Sequence, residues 1–182
     1  MTVFAALLRA VNVGGTGLIR MAELKALCGK LGFRQVQTLL QSGNVVFDAK
    51  GAATAVAEKL ADAIEESHRF RPAIAIRTAT EVAAVVDRNP FPREVKSDPR
   101  FVVVAFAAGA PTSGAKGRVA AVGVVRERLH LSGRELYIHY PDGQGRSIVS
   151  NAVLEKALGV PATARNWNTV TKLLHLAREI ER

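Results

Sequence analysis

The sequence contains few cysteines, few aromatic residues and no long hydrophobic run. The single cysteine, Cys28, excludes an internal disulfide and is typical of a reducing compartment. Aromatic residues are few as well: RNA-recognition domains place aromatic residues on their central strands, whereas here only Phe4 and Phe47 are available. The longest apolar run, Phe101 to Ala108, is far shorter than the roughly 18 residues that a membrane-spanning helix needs. We therefore expect a soluble, cytoplasmic protein.

Acidic residues are also scarce relative to basic ones. The formal net charge is +9, from 25 Lys and Arg against 16 Asp and Glu. Residues 1–100 carry 14 basic and 10 acidic side chains, and residues 101–182 carry 11 and 6. Because the excess is spread along the chain, it indicates a solvated basic surface, with nucleic-acid binding as a less favoured alternative.

Hydrophobic periodicity predicts an α+β protein whose first half has the order β-α-β-β-α-β. The predicted strands are Thr2 to Val11, Val36 to Leu40, Val45 to Asp48 and Ala73 to Arg77, and the helices lie around Met21–Leu31 and Val56–Ile64. This order is the ferredoxin-like unit. We assign it to residues 1–90.

Prolines in residues 91–100 predict a linker, and residues 101–182 then form a second, smaller α+β subdomain. Its pattern reads β-α-β-β-α, with a final helix from Asn166 to Arg182 in place of the last strand. A helix from Ser147 to Leu158 would have Ser147 as its N-cap. We expect the terminal helix to pack back on the first subdomain.

Two polar segments of the first half should meet, because the first and third strands of a ferredoxin-like sheet are antiparallel neighbours. The loop Asn12–Gly15 follows the first strand, and the turn Gln41–Asn44 precedes the third. We call these two segments the rim. Its candidate ligand-binding residues are Arg9, Asn12, Gly14, Gly15, Gln41, Ser42 and Asn44. Glycine permits positive φ and close backbone approach, and the helix starting near Met21 would add the positive end of its dipole.

The glycines of the rim match neither the phosphate-loop nor the dinucleotide-binding signature. The alternative interpretation is therefore structural: a strand-to-helix turn that needs glycine, and an asparagine that caps the neighbouring hairpin.

The start of the terminal helix carries a second polar cluster. Its candidate binding residues are Arg165, Asn166, Trp167, Asn168 and Lys172, and Arg146 stands in a separate glycine-rich loop. Against the rim, these groups would complete a cationic, amide-lined pocket. Otherwise Asn166 or Asn168 is an N-cap, Trp167 is a core residue, and Lys172 and Arg146 are surface cations.

The sequence indicates binding more than catalysis. The four histidines have no ligand spacing with one another or with Cys28, so neither a metal site nor a cofactor is predicted. The rim segments contain no carboxylate or histidine for acid–base chemistry, and whether the protein is an enzyme stays open. The favoured hypothesis is a binding protein for a small anionic or nucleotide-like ligand, which the rim and the start of the terminal helix would bind together. The alternatives are nucleic-acid binding and a structural or protein-interaction module without a small ligand.

The motif segments resemble a known family over essentially the whole chain. They are residues 7–15, Met21–Leu24, Gly32-Phe33, Gln41–Phe47, Asn89–Phe91, Gly145–Ser147 and Arg165–Leu173. The family is the bacterial domain of unknown function 1697. The resemblance implies a cytoplasmic α+β protein with a ferredoxin-like N-terminal part, and no established activity. Ala10 stands where a glycine is usual, and Thr16-Gly17-Leu18 replaces a more polar, lysine-bearing stretch.

Overall fold

The computed structural model describes residues Met1–Arg182, which form two compact units. The first unit comprises Met1–Ala84 and Lys172–Arg182, and the second comprises Val85–Thr171. Each unit contains a four-stranded sheet in which all neighbouring strands are antiparallel. The fold class is α+β, as predicted. None of the helices combines the length and the apolar character that crossing a membrane requires.

The first sheet has the strand order β2-β3-β1-β4. Its strands are β1 (Thr2–Leu8), β2 (Arg34–Leu39), β3 (Asn44–Ala49) and β4 (Ile74–Thr78), and the helices between them are α1 (Met21–Lys30) and α2 (Ala53–His68). Alternate residues of each strand point to one face. Phe4 and Phe47 on that face pack with Leu24 of α1 and Leu60 of α2 in one buried cluster.

The loop after β1 begins earlier than the hydrophobic run predicts. The run continues to Val11, but the strand ends at Leu8, because Ala10 and Asn12 each have φ of +55°, which lies outside the strand region. The Leu8 N–H donates to the Gly43 carbonyl at 2.8 Å. The end of β1 is thereby tied to the turn that precedes β3.

The second sheet has the matching strand order β6-β7-β5-β8. Its strands are β5 (Val102–Ala107), β6 (Arg128–Ser132), β7 (Glu135–His139) and β8 (Ala162–Asn166), and its helices are α4 (Pro92–Ser97), α5 (Ala115–Ala120) and α6 (Asn151–Leu158). Residues 91–100, predicted as a linker, include α4 and a short 3-10 turn at Pro99–Phe101.

Two details predicted for the second half are wrong. The last strand is present as β8, which pairs with β5, so the second sheet completes the β-α-β-β-α-β order. The N-cap of α6 is Ser150, whose hydroxyl accepts from the Val153 N–H, and not Ser147. The side chain of Ser147 instead accepts from the Val149 N–H at 3.0 Å and donates to Glu127.

The two remaining helices are α3 (Ala79–Asp87) and α7 (Trp167–Ile180). A boundary between the two units falls inside each of them. Within the first unit, Leu173 and Ala177 of α7 are buried. The Gln35 side chain donates to the Ile180 carbonyl at 3.4 Å. The C-terminal end of α7 therefore lies beside the edge strand β2.

Candidate ligand-binding rim

Asn12 joins the two segments of the rim. Its side-chain amide donates to the Ile19 carbonyl at 2.9 Å and to the Gln41 carbonyl at 2.8 Å, and its Oδ1 accepts from the Ile19 N–H at 3.0 Å. The structure thus brings the two segments together. Every polar atom of the Asn12 side chain has a partner inside the chain, so its first role is to hold the loop in place.

The loop anchored by Asn12 is a small hairpin. The Thr16 N–H donates to the Val13 carbonyl, and the Asn12 N–H donates to the Gly17 carbonyl at 3.1 Å. Gly14 and Gly15 at its tip have φ of +61° and +76°, the pair of positive values that a type I′ turn requires. Both glycines are exposed, and neither N–H has an acceptor within the chain. The tip therefore presents two adjacent donors.

The second segment of the rim, the turn Gln41–Asn44, is held in place by hydrogen bonds of the Asn44 side chain. This residue is fully buried, and its amide donates to the Leu39 carbonyl at 2.8 Å and to the Ser42 hydroxyl at 3.0 Å. Asn44 and Ser42 thus fix the turn. Gln41 is exposed, and its side chain is left without a partner in the chain. Of the polar groups predicted for this turn, the Gln41 amide is the one available to a ligand.

The positive charge beside the rim is smaller than the sequence predicts. The Glu23 carboxylate accepts from the Arg20 guanidinium and from the Arg20 N–H at the start of α1. These hydrogen bonds lower the pKa of Glu23 to about 2. The charge of Arg20 and the positive end of α1 are therefore already compensated. Arg9 is half-buried at the end of β1, where its N–H donates to the Ala73 carbonyl.

In the second unit, most of the candidate binding residues predicted near the start of the terminal helix are buried or hydrogen-bonded within the chain. Arg165 is buried on β8 and donates to the Thr163 hydroxyl and the Ala164 carbonyl, and burial lowers its pKa to about 10. The side-chain Oδ1 of Asn166 accepts from the Thr169 N–H at 3.0 Å, which makes Asn166 the N-cap of α7. Trp167 is buried.

Three of the predicted residues have side chains in solvent. Arg146 is exposed in a 3-10 turn of the second unit, and Asn168 is exposed on the first turn of α7. Lys172 is exposed one turn further along, in the part of α7 that belongs to the first unit. These side chains remain available for ligand contacts.

Sequence reasoning missed three exposed apolar side chains, one within the rim and two close to its segments in sequence. Val13, Leu18 and Leu40 are 60%, 64% and 54% exposed. Leu40 adopts φ of +59°, an uncommon conformation for a branched residue. No sequence pattern marks these residues as exposed, because an apolar residue beside a strand end or a glycine turn ordinarily packs into the core.

The structure offers no metal centre in either unit, since no three His, Cys, Asp or Glu side chains lie close enough to hold an ion.

A comparison with protein families shows to which family the chain belongs. A family model described as "Protein of unknown function (DUF1697)" matches residues 1–137. The chain belongs to the DUF1697 family. The DUF1697 match includes both segments of the rim, whereas Arg146, Arg165 and the start of α7 lie beyond it.

Comparison with solved structures extends the fold relationship to nearly the whole chain. The conserved bacterial protein SP0830 from Streptococcus pneumoniae is similar with a TM-score of 0.75. The two sequences are 23% identical, and the alignment covers 97% of this chain and 98% of that one. At this identity the likeness shows that the fold is shared. No curated protein matches the chain.

Proposed function

We propose that this DUF1697 protein binds a small anionic or nucleotide-like ligand at the rim. The observation that carries the proposal is the pair of adjacent N–H groups of Gly14 and Gly15, which are exposed and have no acceptor in the chain. Backbone N–H groups that point into solvent from a glycine turn are suited to phosphate or carboxylate oxygens. The exposed amide of Gln41 supplies a further donor on the neighbouring segment.

The anchoring of the hairpin supports the same proposal. Asn12 ties its loop to Ile19 and to Gln41 on the neighbouring segment, so a ligand would not have to order the loop when it binds. Preorganisation of this kind lowers the entropic cost of association. The absence of carboxylates and histidines from the rim segments supports a binding role over acid–base catalysis. The single buried Cys28 fits the reducing cytoplasm, where we expect the protein to work.

A thermal-shift screen tests this function. The purified protein is heated with inorganic phosphate, nucleotides, sugar phosphates, carboxylates and short RNA and DNA. A ligand at about 100 times its dissociation constant adds roughly 2.7 kcal/mol of apparent stability. We expect stabilisation by a phosphate-bearing small molecule and less of it in Gln41→Ala and Lys172→Ala. Lys25→Ala removes another exposed lysine, on α1, and is the charge-matched control. Equal stabilisation of all four proteins would contradict binding at the rim.

A second candidate function is supported by the exposed apolar residues. Val13, Leu18 and Leu40 are exposed in loops that Asn12 holds together, and an apolar patch built from these side chains would favour a protein partner. If no small molecule stabilises the protein, this interaction role becomes the better account. Replacement of the three residues by serine would then weaken partner binding without lowering the melting temperature.

A further inference from the structure

A cavity of about 400 Å³ lies in the first unit, lined by residues of the loop after α1, the start of α2 and the turn after β3. Its lining consists of Met1, Leu31, Gly32, Phe33, Arg34, Lys50, Ala55, Val56 and Lys59. Three of these nine residues are cationic, and none is acidic. The volume falls at the lower end of the range for small-molecule sites.

Lys59, the cavity lysine on α2, is fixed in position. Its ammonium group donates to the Leu31 carbonyl at 2.8 Å and lies 5.7 Å from the centre of the Phe33 ring. Phe33 is itself immobilised, because it stacks on Phe47 with ring centres 4.5 Å apart. The hydrogen bond and the ring contact hold the charge of Lys59 at the cavity wall, where it compensates the carbonyl end of α1.

The other two cations make no ion pair. Lys50 is exposed in the turn after β3, and the Arg34 guanidinium touches the Met1 sulfur at 3.7 Å. The acidic residue nearest to Lys59 along α2, Glu58, is already paired with Arg71. Asp48 lies opposite Arg34 in the pairing of β2 with β3, but no ion pair joins the two side chains. Lys50 and Arg34 therefore keep positive charge at the cavity that solvent or an anion can balance.

The start of α2 adds partial positive charge to the same cavity. Ala55 and Val56 of its first turn line the cavity. The N-cap is Ala52, whose side chain accepts no hydrogen bond, and the first turn contains no acidic residue. The first N–H groups of a 16-residue helix are thus left without side-chain partners.

From the cavity, its three cations and the absence of acidic groups, we propose that this is a second binding site, for a phosphate or phosphate monoester dianion. In this site Lys50 and Arg34 contact the ligand oxygens directly, and Lys59 supplies a fixed charge. The site uses no residue of the rim. Its existence therefore does not depend on the function proposed above.

The test measures binding of inorganic phosphate by isothermal titration calorimetry at low ionic strength. We expect Lys50→Gln and Arg34→Gln each to weaken phosphate binding about tenfold, which is the loss of one charge-assisted contact. Lys30→Gln removes an exposed lysine from the end of α1 that does not line the cavity, and it should bind as the wild type does. Lys59→Gln is not the primary variant, since it also removes the hydrogen bond to Leu31.

Amide resonances distinguish this site from the rim. Gly32 lines the cavity, whereas Gly14 and Gly15 form the tip of the hairpin. Phosphate should shift the Gly32 resonance in the wild type, and the double variant Arg34→Gln with Lys50→Gln should abolish that shift. A Gly32 resonance that shifts in the double variant as it does in the wild type, or one that does not shift at saturating phosphate, would overturn the second site. Neither result would affect a shift of Gly14 and Gly15.

Discussion

Gly17 closes the base of the rim hairpin, and no other residue fits there without strain. Its φ is +60°, and a Cβ at this position would lie 2.5 Å from the Ala10 carbonyl oxygen. We expect Gly17→Ala to lower the free energy of unfolding by about 3 kcal/mol, since it combines left-handed strain with a backbone clash. Gly14 has nearly the same φ, but nothing lies within 4 Å of its Cβ position.

Gly14→Ala is therefore the matched control, and it should cost only about 1 kcal/mol of left-handed strain. Chemical denaturation measures both variants. Equal losses in the two would show that the Ala10 carbonyl moves away freely and that the hairpin base is not rigid.

The Cys28 thiol should not react with alkylating reagents in the folded protein. It is fully buried on α1, and burial raises its pKa to about 12. Because the thiolate is the reactive form, iodoacetamide at pH 8 should label Cys28 only as fast as the protein unfolds. Mass spectrometry follows the reaction, with protein unfolded in urea as the positive control. Rapid stoichiometric labelling of native protein would contradict the packing of α1.

At the scale of elements, the hairpin after β1 depends on one side chain. Asn12→Ala removes three hydrogen bonds and leaves the Ile19 N–H and two carbonyls to find water. We expect a loss of about 2 kcal/mol in the free energy of unfolding. Asn168→Ala changes an exposed amide without a side-chain partner in the chain, and it should change stability by less than about 0.5 kcal/mol. Thermal denaturation of the pair distinguishes a fixed hairpin from a loose loop.

The same contacts show how far the sequence determines these elements. The β-α-β-β-α-β order of the first unit was predictable, because strands and helices there have clear periods of 2 and 3.6 residues. The antiparallel pairing of β1 with β3 was enough to place Asn12 near Gln41. The alternative interpretation, an asparagine that caps the neighbouring hairpin, anticipated the hydrogen bond from Asn12 to the Gln41 carbonyl. The two hydrogen bonds of Asn12 with Ile19 were not predictable, since they depend on the left-handed conformation of Ala10 and Asn12.

Strand β8 shows the opposite case, in which local sequence carries too little signal. Its residues, Ala162–Asn166, include two small alanines and a buried arginine instead of a run of branched residues. The strand forms because β5 offers an unpaired edge on one side, which is a tertiary effect that overrides weak local propensity.

The cluster of cavity cations could not be predicted from the sequence for a similar reason. Arg34, Lys50 and Lys59 are far apart in sequence and come together only through packing.

For the whole molecule, acid should destabilise the fold through two carboxylates. Hydrogen bonds from Arg20 lower the pKa of Glu23 to about 2, and the Ser147 hydroxyl together with backbone N–H groups lowers that of Glu127 to about 2. A carboxylate with a depressed folded pKa stabilises the protein above its ordinary pKa. That stabilisation is lost as the pH falls from about 4.5 towards 2.

Melting temperatures between pH 6 and pH 2 test this expectation. Glu23→Gln and Glu127→Gln should melt lower than the wild type at pH 6 and show a shallower decline in acid. Glu66→Gln, at an exposed position without an ion pair, should follow the wild-type curve. Parallel curves for all four proteins would mean that neither carboxylate contributes to acid sensitivity.

Both proposed sites lie within residues 1–84 and Lys172–Arg182, so the first unit is expected to carry ligand binding. The second sheet has the same strand order, but its hairpin turn at Gly133 is not accompanied by an amide-anchored loop like that of Asn12. Repetition of the fold therefore does not imply repetition of the site.

The most direct measurement is a titration of ¹⁵N-labelled protein with inorganic phosphate and with adenosine monophosphate, followed by the amide resonances of individual glycines. The account predicts that Gly14 and Gly15 shift together and saturably, while Gly133, which has the same φ of +61° as Gly14, does not move. Gly14 and Gly15 resonances that stay in place up to about 10 mM of either compound, well above the millimolar affinity of weak ligands, would contradict binding at the rim.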